Sequence, residues 1–297
     1  MQEPHFLFSP MIQGYWRMAE WGMSTQQQLT FLKQHMELGI TTVDHAPVYG
    51  PESACERMFG EVLASDSSLR EHIQIVSKCG IYRGDAPQVN HYNSSKQAIL
   101  NSVDGSLARL KTDYLDVLLI HRPDILMNAD GVADAFQQLK QAGKVNHFGV
   151  SNFTPSQFSL LQSRVQSSIG EPLITNQVEI NPVNMGVTED GTLDQLQQER
   201  VRPMAWSCLA GGELFSNSSE KQQRLQKTLS EVAEEIGASS IDQVAYAWVM
   251  NLPSQPVPIL GSGNIDRTRT AVAAMDLQMT NEQWYRIWTA SKGHGVA

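Results

Sequence analysis

Residues 39–50 read GITTVDHAPVYG. Ile40, Thr41, Thr42 and Val43 are four β-branched residues in a row, a composition that suits a short strand. The residues that follow cannot prolong it. Pro47 lacks a backbone donor, and Gly50 admits backbone angles closed to other residues. An acid, Asp44, and a phenol, Tyr49, are therefore delivered on a loop at the C-terminal end of a strand. Whether that pairing carries chemistry depends on what the other strands deliver beside it.

Upstream, residues 5–12 are apolar but broken by Pro10, and read as a short strand ending near Gly14. Residues 25–37 read as a helix with Leu29, Leu32 and Met36 on one face, Ser24 or Thr25 as its cap and Gly39 as its stop. Downstream, the pattern predicts helix 52–64, strand 73–78, a polar loop 80–92 and a long helix 94–110. Strand 114–120, YLDVLLI, is almost wholly apolar, as befits a parallel strand covered on both faces. Then come helix 131–142, strand 145–150, helix 155–165, strand 173–178, helix 193–200, strand 203–206, helices 220–236 and 241–250, strand 257–260, and helix 266–275. A terminal helix at 281–290 carries Trp284 and Trp288 four apart, a spacing that suits core packing.

Strand and helix alternate about eight times with short connections and no linker or low-complexity segment. That is the pattern of an α/β fold closed as a (β/α)8 (TIM) barrel, read as a single domain over 1–297. An open doubly wound sheet is the runner-up, but no G-x-G-x-x-G joins the first strand to the first helix.

The bulk numbers narrow the partners. The chain has 297 residues, 41% of them hydrophobic and 18% charged, with a formal net charge of −9. That balance argues against a nucleic acid or an anionic membrane surface. Residues 1–14 show no basic stretch followed by an apolar run, and no apolar run reaches the ~18 residues of a membrane span. A cytoplasmic location is expected. Cys55, Cys79 and Cys208 are odd in number and lack C-x-x-C spacing, so free thiols in a reducing compartment are expected rather than zinc or disulfides. Oxidation of Cys79, which adjoins Lys78, would matter.

In such a barrel the C-terminal strand ends converge on one face. The polar residues there are Asp44 with Tyr49 beyond it, Lys78, His121, Ser151 with Asn152, Gln177, and Trp206 with Ser207. Taken singly, each has an ordinary explanation: an aspartate caps a helix, a lysine is solvated, a histidine is structural. Together, a carboxylate, a phenol, an ammonium and an imidazole form an acid–base set. Tyrosine ordinarily titrates near 10. A neighbouring Lys⁺ favours the phenolate and is expected to lower that value, with Asp44 holding the ammonium charged. His121 can orient a substrate oxygen, so the set can protonate an alkoxide as it forms.

The segments GITTVDHAPVYG, IVSKCG, VLLIHRPD, HFGVSNF, NQVEINP and PMAWSCLAGGEL occur in this order across nearly the whole chain. Together they resemble the signature segments of the aldo-keto reductase superfamily. The resemblance implies a single-domain (β/α)8 barrel that reduces aldehydes or ketones with NADPH, less often NADH. It implies a tetrad of Asp44, Tyr49, Lys78 and His121, with Tyr49 as proton donor. It also assigns Ser151, Asn152 and Gln177 to the nicotinamide carboxamide, Trp206 to its ring, and Ser207, Leu209 and Gly211 to the pyrophosphate side. Gly261, Ser262, Gly263 and Arg267 match the segment that meets the adenosine 2′-phosphate, with Arg269 as the alternative arginine. A glycine-rich turn before a helix, followed by an arginine, suits a phosphate.

Gly14 and Trp16 are counted with the cofactor residues. Trp16, Tyr15, Trp21, Tyr82 and Met185 lie on loops of the same face and are expected to wall an apolar substrate pocket. Thr270 and Ala271 stand where many relatives carry Glu-Asn, which removes an adenine contact. The short N-terminus implies a reduced strand pair at the barrel bottom. Two other readings remain: a cofactor-binding regulatory subunit like the potassium-channel β-subunits, disfavoured by the lack of a long N-terminal arm, and a metal-dependent hydrolase. The latter needs paired ligands at strand ends, where His121 is the sole histidine. No metal is expected, the partner is a small aldehyde or ketone, and a monomer is the working expectation.

Overall fold

Parallel strands with helical returns make up the computed structural model, which describes residues 7–84 and 87–297. Residues 1–6, part of the expected first strand and of the N-terminal strand pair, lie outside the described residues, as do 85 and 86 of the loop 80–92. The barrel strands are β1 (Ile12–Gly14), β2 (Thr42–Asp44), β3 (Gln74–Cys79), β6 (Leu115–Ile120), β7 (Val145–Ser151), β8 (Asn176–Glu179), β9 (Met204–Trp206) and β10 (Val257–Leu260). They close as a parallel barrel in the order β1-β10-β9-β8-β7-β6-β3-β2. By contacts the chain divides into two compact units, Met1–Gln177 and Val178–Ala297.

In the first unit, helices α1 (Thr25–Glu37), α2 (Ala54–Ser65), α3 (Lys96–Leu110), α4 (Ala129–Gln141) and α5 (Pro155–Ile169) alternate with the strands. Ser24 caps α1 through a capping box, with Gln27 answering from the third position. β6 is buried at all six positions, as its apolar run requires. The register steps forward along the sheet: Asp44 pairs with Val76, while Lys78, two residues on, pairs with Leu119. Strand alternation then sends Lys78 and Ser77 to opposite faces. Lys78 reaches Asp44, and Ser77 donates to Glu56 on α2 at 2.7 Å. Helices α2 and α3 touch so closely at Gly60 that a Cβ there would strike the carbonyl of Arg109.

Within the second unit, β9 and β10 pair in parallel. Helices α6 (Thr192–Glu199), α7 (Glu220–Ile236), α8 (Ile241–Met250), α9 (Ile265–Ala273) and α10 (Asn281–Lys292) accompany them. Trp284 of α10 stacks on Trp248 of α8 with centroids 4.7 Å apart. Each indole N–H donates to the other residue's carbonyl, at 3.3 and 3.1 Å. Core packing thus accounts for Trp284.

Several stretches differ from the sequence reading: the first strand is only Ile12–Gly14, the strand read as 173–178 is Asn176–Glu179, and the helix read as 155–165 runs to Ile169. Within 80–92 a short antiparallel hairpin forms, β4 (Ile81–Tyr82) with β5 (His91–Tyr92). Two-residue strands carry too little periodicity to be read from sequence. The second helix starts at Ala54 rather than 52, because Glu52 and Ser53 both adopt positive φ, 48° and 61°. Among the described residues no helix is long and apolar enough to cross a membrane.

Candidate active site

Four side chains of the first unit meet around Lys78. Its Nζ donates to both oxygens of Asp44 at 2.7 Å, to the carbonyl of His45 at 2.9 Å and to the hydroxyl of Tyr49 at 2.9 Å. Lys78 is fully buried and Asp44 is 3% exposed, so neither charge is compensated by water. The turn that aims Tyr49 is closed by its amide donating to Ala46 and tied to α2 by Cys55 donating to its carbonyl. Gly50 takes the positive φ, 71°, that this turn needs.

His121 follows β6 and donates its main-chain amide to the carbonyl of Cys79 at 2.9 Å. Its ring meets the Tyr49 ring edge-on, centroids 5.8 Å apart. Burial first, then the charges of Lys78 and Arg122, hold the imidazole well below its ordinary value, so it is neutral at pH 7. Burial also draws the Lys78 ammonium down, but Asp44 and Tyr49 more than offset it and the net shift is upward. Tyr49 departs from expectation. Burial raises its phenol and outweighs the lowering by Lys78, so the net shift is up rather than down. The phenol is therefore protonated at pH 7.

Ser151 and Asn152, at the end of β7, lie against Gln177 near the start of β8. Ser151 Oγ donates to the Gln177 carbonyl at 2.8 Å, and Asn152 Nδ2 donates to Ser151 Oγ at 2.7 Å. Asn152 takes a positive φ of 60°. The side-chain amide of Gln177 also donates to Asp44 Oδ1 at 2.9 Å, a link the sequence reading lacked. Arg122 is a second omission. Its charge acts on both Tyr49 and His121, and its place directly after His121 was the available signal.

The second unit holds the cofactor candidates from Trp206 to Arg267. Trp206 ends β9, and Ser207 follows at φ 52°, its carbonyl accepting from Asn181 at 3.0 Å. Leu209 precedes a 3-10 turn, Ala210–Phe215, in which Gly211 is left-handed with open space around it. Gly261 is likewise open. Ser262 Oγ accepts from the amide of Asn264, which caps α9, and Gly263 lies between them. On α9, Arg269 is held by Asp266 at 2.7 Å, while Arg267 is exposed.

Two residues expected at the substrate pocket are buried in packing. Tyr15 is 1% exposed. It stacks on His45 at 4.7 Å and touches Phe59 and Trp21. Met185 is also buried. Both are apolar enough to serve as packing, and sequence cannot tell a loop core from a loop surface. Trp21 is half-buried against Phe31, and Tyr82 is stacked on His91. Trp16 is exposed, and Gly14, beside Asp44 in register, is buried. Cys79 is 3% exposed and burial pushes its thiol up to about 12, which removes the reactivity considered for it. Among the described residues no three His, Cys, Asp or Glu side chains gather as a metal site requires.

The Aldo/keto reductase family matches residues 10–292. This chain belongs to the aldo/keto reductase family. It is 55% identical over 97% of its length to an oxidoreductase, YdhF, of Escherichia coli, covering 95% of that protein. It is 37% identical to a 6-dehydroglucose reductase of Agrobacterium fabrum, covering 97% of this chain and 96% of the relative. The crystal structure of a thermostable aldo-keto reductase, Tm1743, in complex with the inhibitor epalrestat superimposes with a TM-score of 0.79 at 26% identity. That match covers 95% of this chain and 94% of the other.

Proposed function

We propose that this chain is a single-domain reductase that converts small aldehydes or ketones to alcohols with NADPH, Tyr49 donating the proton. The observation that carries this reading is the Tyr49 hydroxyl, 2.9 Å from an ammonium that is itself gripped by both oxygens of Asp44. Half-buried and protonated, the phenol can give its proton to an alkoxide. The fixed charge of Lys78 then stabilises the phenolate left behind. His121, neutral at pH 7, can hydrogen-bond the substrate oxygen without competing as an acid. Asp44 acts through Lys78 and does not touch the substrate.

The residues present suit the cofactor. Ser151, Asn152 and Gln177 offer the mix of donors and acceptors that a carboxamide needs. Trp206 offers an aromatic face. Gly211 and Gly261 leave room where a side chain would stand, with Ser207, Leu209, Ser262 and Gly263 beside them in sequence. Arg267 supports NADPH over NADH, since a guanidinium suits a 2′-phosphate and Arg269 is already engaged by Asp266. NADPH supplies the hydride; the protein supplies position and electrostatics. The 6-dehydroglucose reductase among the relatives supports carbonyl reduction as the direction. The test is to mix purified protein with NADPH and a panel of aldehydes, dicarbonyls and quinones and to follow loss of reduced-nicotinamide absorbance. Turnover is expected. Quenching of tryptophan fluorescence by NADPH without any turnover would overturn the reading in favour of a cofactor-binding protein without catalysis.

A further inference from the structure

The hydrogen bonds around Asp44 do not stop at the tetrad. Gln177 lies at the second position of β8, is 3% exposed, and sends its two polar ends in different directions. Its side-chain Nε2 donates to Asp44 Oδ1 at 2.9 Å. Its main-chain carbonyl accepts from Ser151 Oγ at 2.8 Å and from the amide of Asn152 at 2.9 Å. The same Oδ1 accepts from Lys78, which in turn donates to Tyr49. A continuous chain thus runs from Asn152 and Ser151 through Gln177, Asp44 and Lys78 to the phenol.

We propose that Gln177 is a positioning residue for proton transfer: its side-chain amide anchors Asp44, and through Asp44 and Lys78 it fixes the hydroxyl of Tyr49. This rests on the reading of Tyr49 as the acid. The residue type fits the task. A buried carboxylate has about four lone-pair sites, and leaving any dry and unpaired is costly. A second cation in place of Gln177 would compete with Lys78, and a second carboxylate would compete for its ammonium. A neutral amide donor adds a bond without adding charge. It also makes the two Asp44 oxygens unequal, which fixes the plane of the carboxylate and with it the direction of the Lys78–Tyr49 bond.

The consequence can be measured. Without the amide, Asp44 Oδ1 keeps Lys78 as its hydrogen-bond donor, so the carboxylate draws the ammonium harder and less of that charge is shared with Tyr49. The negative charge of Asp44, which opposes ionisation of the phenol, is also less damped. Tyr49 becomes a weaker acid.

The experiment uses the full chain labelled with 13Cζ-tyrosine and no added cofactor, the Tyr49 resonance being assigned by its loss in Tyr49→Phe. Gln177→Met keeps the length of the side chain and removes the donor. The onset of Tyr49 ionisation is expected to move up by about half a pH unit. The alkaline limb of kcat for carbonyl reduction should move with it. Gln177→Leu, the second donor-less variant, must shift in the same sense. An unmoved onset in either folded variant overturns the proposal, whatever happens to turnover, since loss of cofactor affinity alone would lower activity without touching the apo titration. Conversely, absent turnover in the unaltered protein would sink the reductase reading and leave this titration standing.

Discussion

Replacing His45 with phenylalanine isolates the cost of a buried neutral histidine beside the charge of Lys78. His45 is fully buried, between Tyr15 at 4.7 Å and Phe59 at 4.5 Å. Burial, and then the charge of Lys78, pull its pKa down to about 3 from 6.5. Its folded value lies below its unfolded one, so the unfolded chain takes up the proton first. The stability it contributes is complete above about pH 6.5 and is lost as pH falls toward about 3. At pH 5 an unfolded imidazole is protonated roughly 30-fold over neutral, which favours unfolding by about 2 kcal/mol relative to pH 8; at pH 4 the figure is about 3.4 kcal/mol. His45→Phe removes this term while keeping a ring in the stack. Any overpacking by the larger ring applies equally at both pH values, and the other histidines cancel in the comparison. Urea unfolding of both proteins at pH 8 and pH 5 gives the number. The unaltered protein should lose about 2 kcal/mol more than the variant between them. Equal losses would show that the imidazole is protonated in the folded state or reaches water, and would refute this account of the site.

Further predictions follow from the same contacts. Glu56 is fully buried and accepts from Arg109 Nε and Ser77 Oγ, each at 2.7 Å. Arg109→Met strands that carboxylate and should cost about 3 kcal/mol in chemical denaturation, with much of it regained in the double variant with Glu56→Gln. Cys79 and Cys208, both buried with thiols pushed up to about 12, should resist iodoacetamide at pH 7.5 in the native protein. Mass spectrometry should find all three cysteines alkylated once guanidinium unfolds it.

The alternation of strand and helix was legible because each period is long enough to repeat. The helices Thr25–Glu37, Glu220–Ile236 and Ile241–Met250 and the strand Val257–Leu260 occur with the bounds read from the sequence. Asp44, Lys78 and His121 were legible because they stand at or next to strand ends, where an apolar run meets a polar residue, and Tyr49 because it lies on the loop directly beyond Asp44. What sequence concealed depends on depth and on long-range partners. Tyr15 reads as a loop aromatic, yet it packs on His45 and Phe59. The net rise at Tyr49 follows from burial exceeding the effect of Lys78, a balance that residue types alone do not fix. Gln177 and Asp44 stand 133 positions apart, and no local pattern announces their hydrogen bond.

Tyr49→Phe separates proton donation from cofactor binding. The hydroxyl is the atom that Lys78 meets at 2.9 Å, and removing it leaves Lys78 bonded to Asp44 and to the His45 carbonyl. In this variant kcat for carbonyl reduction should fall by about 10²–10⁴-fold, while NADPH binding, read by tryptophan quenching, should stay within about twofold. Unchanged kcat in a folded variant that binds NADPH would contradict proton donation by Tyr49.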